Sequence, residues 1–444
     1  MVKKVIIMGA AGRDFHNFNM FFRDNKNYNV VAFTQAPGQN IGELAKMPKR
    51  IYPKVLAGKL YPKGIPIFPE KYLPQIIKEE KADEVVFAYS DVSYIEIMRK
   101  ASLAISCGAD FRLMGPESTM LKSSKFVISV CAVRTGAGKS PTTRKICQIL
   151  KAKGIKFVII RHPMPYGDLS KMAVQRFAAK SDLNKYGSTI EEREEYEPHI
   201  EAGNVVYAGV DYKEILKQAE KEADVIVWDG GNNDLPFIKP NLHIVVADAR
   251  RPGHELIYYP GEANLRMADV VIINKVDTAD PAGIDTVVNN VIMINPKATI
   301  IKSAMPVFID KPELARGKRV LLVEDGPTMT HGGLDYGAAS IIAKNMGSYV
   351  ISPREKAVGS IKQVYAEYPY LGAVLPAMGY SRKQIDELEQ TINAVECDSV
   401  LIGTPVDLRS LISINKPSAR IRYEIHEIGK PNLEDVLNKF LKKI

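Results

Sequence analysis

The 444-residue chain contains few cysteines and histidines and no long apolar segment. Its four cysteines are widely spaced in apolar segments, so no metal-binding spacing occurs, and we expect free buried thiols in a reducing cytoplasm. No apolar run approaches the roughly 20 residues that cross a membrane. The opening segment is expected to form a first strand rather than a signal peptide. These features predict a cytoplasmic protein without a membrane partner.

The charge pattern also lacks any polybasic block. The formal net charge of +9 is spread along the chain, and no basic stripe is interleaved with aromatic residues. This distribution favours a small acidic substrate as the partner over a nucleic acid. The apolar fraction of 46% is ample for the cores of two or three domains.

What the sequence does contain is a phosphate-binding loop. An apolar strand over 126–132 leads into Arg134-Thr135-Gly136-Ala137-Gly138-Lys139-Ser140, and a helix is predicted to follow. In such a loop backbone N–H groups cradle phosphate, Lys139 reaches the β- and γ-phosphates, and Ser140 ligates Mg²⁺. The first glycine of the pattern is replaced by Val133, and a chance Gly-Lys-Ser in a turn is the alternative interpretation.

Two later segments follow the loop in the order expected of a nucleotide-binding fold. One apolar strand ends in Asp229-Gly230-Gly231, where a carboxylate holds Mg²⁺ through water and a glycine N–H senses the γ-phosphate. A second ends in Asn274-Lys275-Val276-Asp277, where Asp277 can accept from two guanine donors and Lys275 can lie over the base. The predicted cofactors are Mg²⁺ and GTP or ATP. The predicted cofactor-binding residues are Thr135, Gly136, Ala137, Gly138, Lys139, Ser140, Gly231, Asn274, Lys275 and Asp277, with Ser140 and Asp229 at the metal.

Alternating strand and helix patterns predict an α/β fold. We expect an N-terminal Rossmann-like, doubly wound domain over 1–122, a P-loop NTPase domain over 123–315 and a C-terminal α/β region over 316–444. The last region either forms its own sheet or continues the sheet of the P-loop domain. The first strand lacks the dinucleotide fingerprint, since the G-x-G-x-x-G spacing is missing.

Further candidates project from predicted strand ends, where open α/β sheets bind ligands. Arg13 and His16 follow the first strand and are predicted to bind substrate, although Arg13 can equally belong to a solvated turn. Arg161 and His162 are predicted to contact an anion, the alternative being a solvent-exposed pair. The acidic run over 191–197 is expected to be a solvated helix face, with a lesser possibility of holding metal. Asp325, Thr328 and His331 are secondary candidates in a Gly-rich loop.

The chain resembles the cyclic 2,3-diphosphoglycerate synthetase group in its phosphate loop, its Asp229-Gly230-Gly231 segment and its Asn274-Lys275-Val276-Asp277 segment. It is also similar to the wider P-loop class of dethiobiotin synthetase, nickel-insertion GTPases, nitrogenase iron protein and septum-site ATPases. The resemblance implies an ATP- and Mg²⁺-dependent ligase that closes an intramolecular phosphoanhydride on a small phosphorylated acid. The Asn-Lys-Val-Asp segment instead favours GTP.

Such a reaction requires positive charge and positioning more than acid–base groups. We therefore predict catalytic roles for Lys139, Arg134, Asp229, Arg161 and His162. Arg134 occupies the position of the signature lysine in the iron-protein and septum-site group, which predicts a homodimer in which Arg134 completes a nucleotide site. A surface arginine is the alternative. The rival function is a GTPase switch or metal-delivery GTPase, although no His- or Cys-rich ligand set occurs.

Overall fold

The computed structural model describes residues 2–36, 50–162, 164, 167–231, 233–330, 332–379 and 381–442. These residues fold into three larger β-sheets, each flanked by helices. The predicted α/β class is therefore confirmed. None of the described helices is long and apolar enough to span a bilayer. His331, a secondary site candidate, lies outside the described residues.

The N-terminal sheet has six strands in the order β3-β4-β2-β1-β5-β7, all parallel except β3. Apolar residues on its two faces form separate cores, as a doubly wound sheet requires. A seventh strand, β6, lies outside this sheet and pairs with β14 of the next domain. The elements are β1 Lys3–Met8, α1 Arg13–Asn17, β2 Tyr28–Gln35, β3 Arg50–Tyr52, α2 Lys54–Ala57, β4 Ile65–Pro69, α3 Leu73–Glu80, β5 Glu84–Phe87, β6 Val92–Ser93, α4 Tyr94–Ser106 and β7 Asp110–Leu113.

The central sheet has nine strands in the order β10-β11-β9-β12-β8-β13-β15-β16-β23. Its strands are parallel except for β10 and β23 at the two edges. The central strand β8 leads into the phosphate loop. The elements of this part are β8 Phe126–Ala132, α5 Lys139–Ala152, β9 Phe157–Arg161, β10 Gln175–Phe177, α6 Lys180–Lys185, α7 Ile190–Glu201, β11 Val206–Ala208, α8 Tyr212–Ala219, β12 Val225–Asp229, β13 Leu242–Asp248, α9 His254–Ile257, β14 Tyr258–Tyr259, α10 Gly261–Met267, β15 Val270–Asn274, α11 Pro281–Ile294 and β16 Thr299–Ala304.

The third sheet is built on β18, which pairs with β21 on one side and with β19 and β20 on the other. It has its own apolar core. The remaining elements are β17 Val307–Ile309, β18 Arg319–Asp325, α12 Gly326–Thr330, α13 Ala338–Asn345, β19 Tyr349–Val350, α14 Gly359–Glu367, β20 Val374–Ala377, α15 Arg382–Ala394, β21 Ser399–Ile402, β22 Ser418–Tyr423, β23 His426–Ile428 and α16 Leu433–Leu441.

Sheet membership does not follow the expected division at residue 315. Strand β17 pairs with β22 in the third sheet, although it precedes that division. Strand β23 returns to the central sheet beside β16, and Leu433 and Leu437 of α16 pack into the central core. The chain therefore crosses twice between these two sheets, which fixes the third sheet against the phosphate-loop domain.

Candidate functional site

The phosphate loop connects β8 to α5, and its two glycines have backbone angles that favour glycine. Gly136 has φ of 78° and Gly138 has φ of 113°. A Cβ atom on Gly138 would lie only 2.1 Å from Nδ2 of Asn274. Helix α5 begins at Lys139, so the loop amides and the first helical turn face the same region.

Val133 replaces the usual first glycine without distorting the loop. It is not among the residues with positive φ, and its N–H donates to the Val246 carbonyl at 3.0 Å, extending the pairing of β8 with β13. Its carbonyl accepts from Asn233 Nδ2 at 3.1 Å. Glycine is therefore not required at this position.

Asp229 and Lys139 form a buried ion pair at the centre of the site. Lys139 Nζ lies 2.8 Å from Asp229 Oδ1, and Arg161 Nη1 lies 3.0 Å from Asp229 Oδ2. Thr143 and His199 also contact this carboxylate, at 2.7 and 3.4 Å. Burial alone would raise the pKa of Asp229, but Arg161 and Lys139 hold it well below its usual value. Asp229 is therefore ionised, and both of its oxygens are engaged.

Ser140 and Glu195 provide oxygen ligands that fit Mg²⁺. Ser140 Oγ lies 3.2 Å from Glu195 Oε2, and Arg161 forms an ion pair with the same carboxylate. Hydroxyl and carboxylate oxygens together with nucleotide phosphates form the usual ligand set of Mg²⁺. In the described ranges, no group of three or more His, Cys, Asp or Glu side chains is arranged to hold a metal. Ligation by Asp229, predicted to act through water, stays a prediction.

The Asn274-Lys275-Val276-Asp277 segment contacts the phosphate loop directly. Asn274 Nδ2 donates to the Ala137 carbonyl at 2.9 Å, and Lys275 Nζ donates to the Gly136 carbonyl at 2.6 Å and to Asp248 at 2.8 Å. Asp277 is exposed and lines the same cavity as the loop. The structure thus brings the predicted base-reading segment and the loop together, and guanine selection stays a prediction.

Arg134 is buried rather than exposed, so the alternative of a surface arginine is wrong. Its Nε lies 3.0 Å from Oδ1 of Asp91 in the N-terminal domain, and its guanidinium lies 3.8 Å from the Tyr258 ring centroid. Thr135 donates to the other Asp91 oxygen at 2.5 Å. An acidic residue of the N-terminal domain therefore holds the first half of the phosphate loop. The predicted catalytic role of Arg134 across a dimer stays a prediction.

Arg13 and His16 do not line the phosphate-loop cavity. Both are buried between the N-terminal and central domains, where Arg13 lies 3.1 Å from Asp234 and the His16 ring stacks on the Phe237 ring at a centroid distance of 4.1 Å. Burial lowers the pKa of His16 to about 3, so the ring is neutral. The solvated turn proposed for Arg13 is wrong, and the two residues join domains in this structure.

His162 lies in the same interdomain cluster, although it follows Arg161 directly. Its Nε2 is 3.5 Å from Asp234 Oδ2, and a Cβ on Gly12 or Gly231 would collide with its ring. The alternative of a solvent-exposed Arg161–His162 pair is therefore wrong, because Arg161 is buried on Asp229 while His162 adjoins Gly12 of the N-terminal domain, and the predicted anion contact stays a prediction. Gly231 adjoins this ring, so a movement of the Asp-Gly-Gly segment would displace His162 at the domain interface.

A cavity of about 370 Å³ opens beside the phosphate loop, between the central and third sheets. Four basic residues line it. Arg134, Lys139 and Lys275 are each paired with an aspartate, whereas the Arg250 guanidinium lies 4.5 Å from the Tyr336 ring centroid. Glu324 and Asp325, at the end of β18, also line the cavity. No lysine or arginine within the described ranges forms an ion pair with either of these two carboxyl groups.

These carboxyl groups are held by neutral donors. Ser340 donates to Glu324 through its N–H and its hydroxyl, both at 2.8 Å, and Asp325 is hydrogen-bonded to the side chain of Glu194. Burial raises the pKa of Glu324 to about 7 and that of Asp325 to about 6. A cation entering the cavity would stabilise their ionised forms. Asp325 and Thr328, predicted as secondary candidates, are hydrogen-bonded to each other here.

The acidic run over 191–197 is not the solvated face that the sequence predicted. Glu192, Glu194 and Glu197 of α7 are buried, and Glu195 lies beside Ser140. Sequence reasoning gave Glu194 and Glu195 a site role only through the lesser alternative of holding metal, and it missed Glu324. The only available signal was the acidic run itself, because the partners of these side chains come from distant segments.

Residues 200–304 match the sequence model of the P-loop domain of cyclic 2,3-diphosphoglycerate synthetase. The arginine synthetase ArcE of Thermococcus kodakarensis is 60% identical over 441 residues, which cover 99% of this chain and 97% of that protein. The cyclic 2,3-diphosphoglycerate synthetase of Methanothermobacter thermautotrophicus is 25% identical over 40% of this chain and 39% of its own length.

Among solved structures, LpxK from Aquifex aeolicus in complex with ATP superimposes with a TM-score of 0.43 at 13% identity, covering 79% of this chain and 96% of that chain. The curated relatives are synthetases, so the predicted assignment as a P-loop enzyme of the nucleotide-dependent ligase type is confirmed. The chain belongs to the cyclic 2,3-diphosphoglycerate synthetase-like P-loop family, together with the arginine synthetase ArcE of Thermococcus kodakarensis.

Proposed function

We propose that this chain is a nucleotide-dependent synthetase that forms the guanidinium group of arginine. The observation that carries the proposal is a pair of carboxyl groups, the buried Glu324 and the half-buried Asp325, that line the phosphate-loop cavity without a basic partner among the described residues. The name of the 60% identical relative supports the same substrate.

A cationic ligand fits these carboxyl groups better than a phosphorylated acid does. A guanidinium presents five N–H donors in a planar fork and pairs with carboxylates through two parallel hydrogen bonds. A phosphorylated acid would place several negative charges beside Asp325, Glu324 and Glu195. Like charges repel strongly in a cavity that is partly shielded from water, because the dielectric constant there is lower than in bulk solvent. The cavity therefore favours a ligand that becomes positively charged beside the loop.

The reaction we propose joins ammonia to a ureido carbon. The ureido oxygen attacks the γ-phosphorus, the nucleoside diphosphate leaves, and a phosphorylated isourea remains. Ammonia then attacks the isourea carbon, the C–O bond breaks, and inorganic phosphate leaves with the former ureido oxygen. One nucleoside triphosphate, one ureido group and one ammonium ion give the diphosphate, phosphate, one guanidinium and one proton. The organic substrate is then citrulline, the ureido counterpart of arginine.

The residues of the site have distinct roles in this scheme. Lys139 leaves Asp229 to contact the β- and γ-phosphates, and Arg161 holds both Asp229 and Glu195 in place. Ser140 and Glu195 would hold Mg²⁺, which neutralises phosphate charge when it is bound. Glu324 and Asp325 stabilise the positive charge that develops on the guanidinium carbon. The third sheet closes the cavity and limits the entry of water.

A second candidate function is the reaction that the family resemblance implied, which is closure of a phosphoanhydride on a small phosphorylated acid. The matched P-loop domain and the 25% identical relative favour it, whereas the acidic cavity wall opposes it. The synthetase names of the relatives do not support a GTPase switch.

One assay separates these candidates. The full chain is incubated with Mg²⁺ and either ATP or GTP, and phosphate release is measured alone, with citrulline plus ammonium, and with 2,3-diphosphoglycerate. We expect phosphate release and arginine formation in equal amounts only with citrulline and ammonium. Stimulation by 2,3-diphosphoglycerate alone would instead establish the second candidate. The nucleotide that supports turnover decides between adenine and guanine.

A further inference from the structure

A second cavity of about 340 Å³ lies behind the phosphate-loop helix, between α5, α7 and β22. Its lining shares Pro141 and Tyr423 with the first cavity, so these two side chains form part of the wall between the cavities. None of the roles described above uses this second cavity.

The lining of the second cavity is predominantly basic. Five basic side chains surround it, compared with two acidic ones. The basic residues are Arg144, Lys145, Lys151, Arg420 and Arg422, and the acidic ones are Glu201 and Glu424. Lys151 already donates to the Ala202 carbonyl at 2.6 Å, and Arg144 reaches the Tyr423 carbonyl only at 3.5 Å. The cavity therefore carries positive charge available to an anion.

Two lining side chains are more than nine-tenths buried and have a polar atom without a hydrogen-bond partner among the described residues. Arg420 is 8% exposed; its Nη2 donates to the Pro405 carbonyl at 2.8 Å and its Nη1 lies 3.5 Å from Oδ2 of Asp407, but its Nε–H is unpartnered. His199 is 1% exposed; its Nε2 lies 3.4 Å from Asp229, and its Nδ1 is unpartnered. Buried polar atoms of this kind are normally satisfied in proteins.

One of the two unpartnered atoms requires a hydrogen-bond acceptor, and the other requires a donor. Arg420 Nε–H is a donor and needs an acceptor oxygen. Because His199 uses Nε2–H toward the Asp229 carboxylate, the Nδ1 atom of the neutral ring is an acceptor and needs a donor. A hydrogen phosphate group offers both, since it has acceptor oxygens and a P–OH donor. Sulfate has acceptor oxygens but no donor near neutral pH.

We propose that this second cavity is a binding site for a hydrogen phosphate group, held by Arg144, Arg420 and His199. The group is either free phosphate or the phosphate of a small monoester. The cavity is several times larger than one phosphate ion, which leaves room for an organic substituent.

The test is a calorimetric titration of the full chain with inorganic phosphate, glycerol phosphate or sulfate. A saturating non-hydrolysable nucleoside triphosphate analogue and Mg²⁺ fill the β- and γ-phosphate positions of the loop throughout, so phosphate binding there does not contribute. We expect saturable phosphate binding that is at least about tenfold tighter than sulfate binding, the scale of one lost hydrogen bond to a charged group. Tighter binding of glycerol phosphate than of free phosphate would identify a monoester as the ligand. Absence of saturable phosphate binding would overturn the proposal.

Matched variants locate the site. Arg144→Gln and Arg420→Gln should each weaken phosphate binding about tenfold or more, while Arg382→Gln, on an exposed face of α15, should not. If Arg420→Gln fails to fold, Arg144→Gln carries this part of the test because Arg144 is only half-buried. His199→Leu should remove the preference for phosphate over sulfate. Unchanged binding in Arg144→Gln, or an unchanged preference in a folded His199→Leu protein, would contradict the assignment.

Discussion

Lys139 Nζ lies 2.8 Å from Asp229 Oδ1, and both side chains are buried. The cation of the phosphate loop is thus neutralised by the carboxylate at the end of β12, which is itself held by Arg161. A nucleotide phosphate must compete with Asp229 for Lys139. In the proposed function, the same pair would therefore stabilise the fold and take part in nucleotide binding.

Replacing Lys139 should abolish most turnover. Lys139→Ala leaves the β- and γ-phosphates without their cation, so we expect a loss of at least about 10²-fold in kcat. Asp229→Ala should also unfold more easily, by about 3–5 kcal/mol, since it leaves the buried Lys139 without its ion-pair partner. Steady-state kinetics and urea unfolding measure the two effects. Near-normal turnover in folded Lys139→Ala protein would remove the phosphate-loop assignment.

Arg134 provides a test of the predicted homodimer. If its charge acts on the transition state, Arg134→Ala should lower kcat more than it weakens nucleotide binding. Asp91→Ala is the matched control, because it breaks the same ion pair but keeps the arginine. Equal losses in both variants would indicate a purely structural pair. Partial recovery of activity on mixing Arg134→Ala with Lys139→Ala protein would support completion of the site across a dimer.

Trp228, the single tryptophan, reports on the nucleotide site from the opposite face of β12. It is fully buried against Tyr212 and Phe237, one residue before Asp229. We expect its fluorescence to change when Mg²⁺ and nucleotide bind. If Asp277 reads guanine, GTP should act at lower concentration than ATP, and Asp277→Asn should erase the difference. A lower half-saturating concentration for ATP in the unaltered protein would refute guanine selection.

Asp325 should make stability and arginine binding depend on pH in opposite directions. Burial raises its folded-state pKa from 3.8 to about 6, so its protonated form favours folding. That stabilisation, at most about 3 kcal/mol, is fully present below pH 4 and is lost as the pH rises through 6. Arginine affinity should rise over the same interval because the ionised carboxylate binds the cation. Chemical unfolding and calorimetry from pH 4 to 8 test this, with Asp325→Asn expected to reduce the slope of both profiles around pH 6 and to leave the part that Glu324 contributes around pH 7.

Local sequence patterns predicted much of the fold and the loop. The strand before Arg134, the helix starting at Lys139 and the strand ending at Asp229 are in the predicted places, because each depends on neighbouring residues alone. Strand β4 was missed, since Pro66 and Pro69 interrupt its pattern. The segment between Arg161 and β12, which contains the acidic run, forms the helices α6, α7 and α8 and the strands β10 and β11.

The cavity could not be predicted, because it is assembled by contacts distant in sequence. Glu195 reaches Ser140 across 55 residues, and Asp91 reaches Arg134 across 43. From sequence alone, a run of glutamates predicts a solvated helix face, because the third sheet that covers this run comes from distant residues. For the same reason, Arg13 and His16 were assigned to substrate when they join two domains.

The most direct measurement follows the ureido oxygen. Citrulline labelled with oxygen-18 in its ureido group is incubated with the full chain, ammonium, Mg²⁺ and the nucleotide that supports turnover. Phosphate and arginine are then analysed by mass spectrometry. We predict one labelled oxygen in each inorganic phosphate released, with arginine formed in equal amount. Unlabelled phosphate, or phosphate released without arginine, would contradict activation of a ureido group at the phosphate loop.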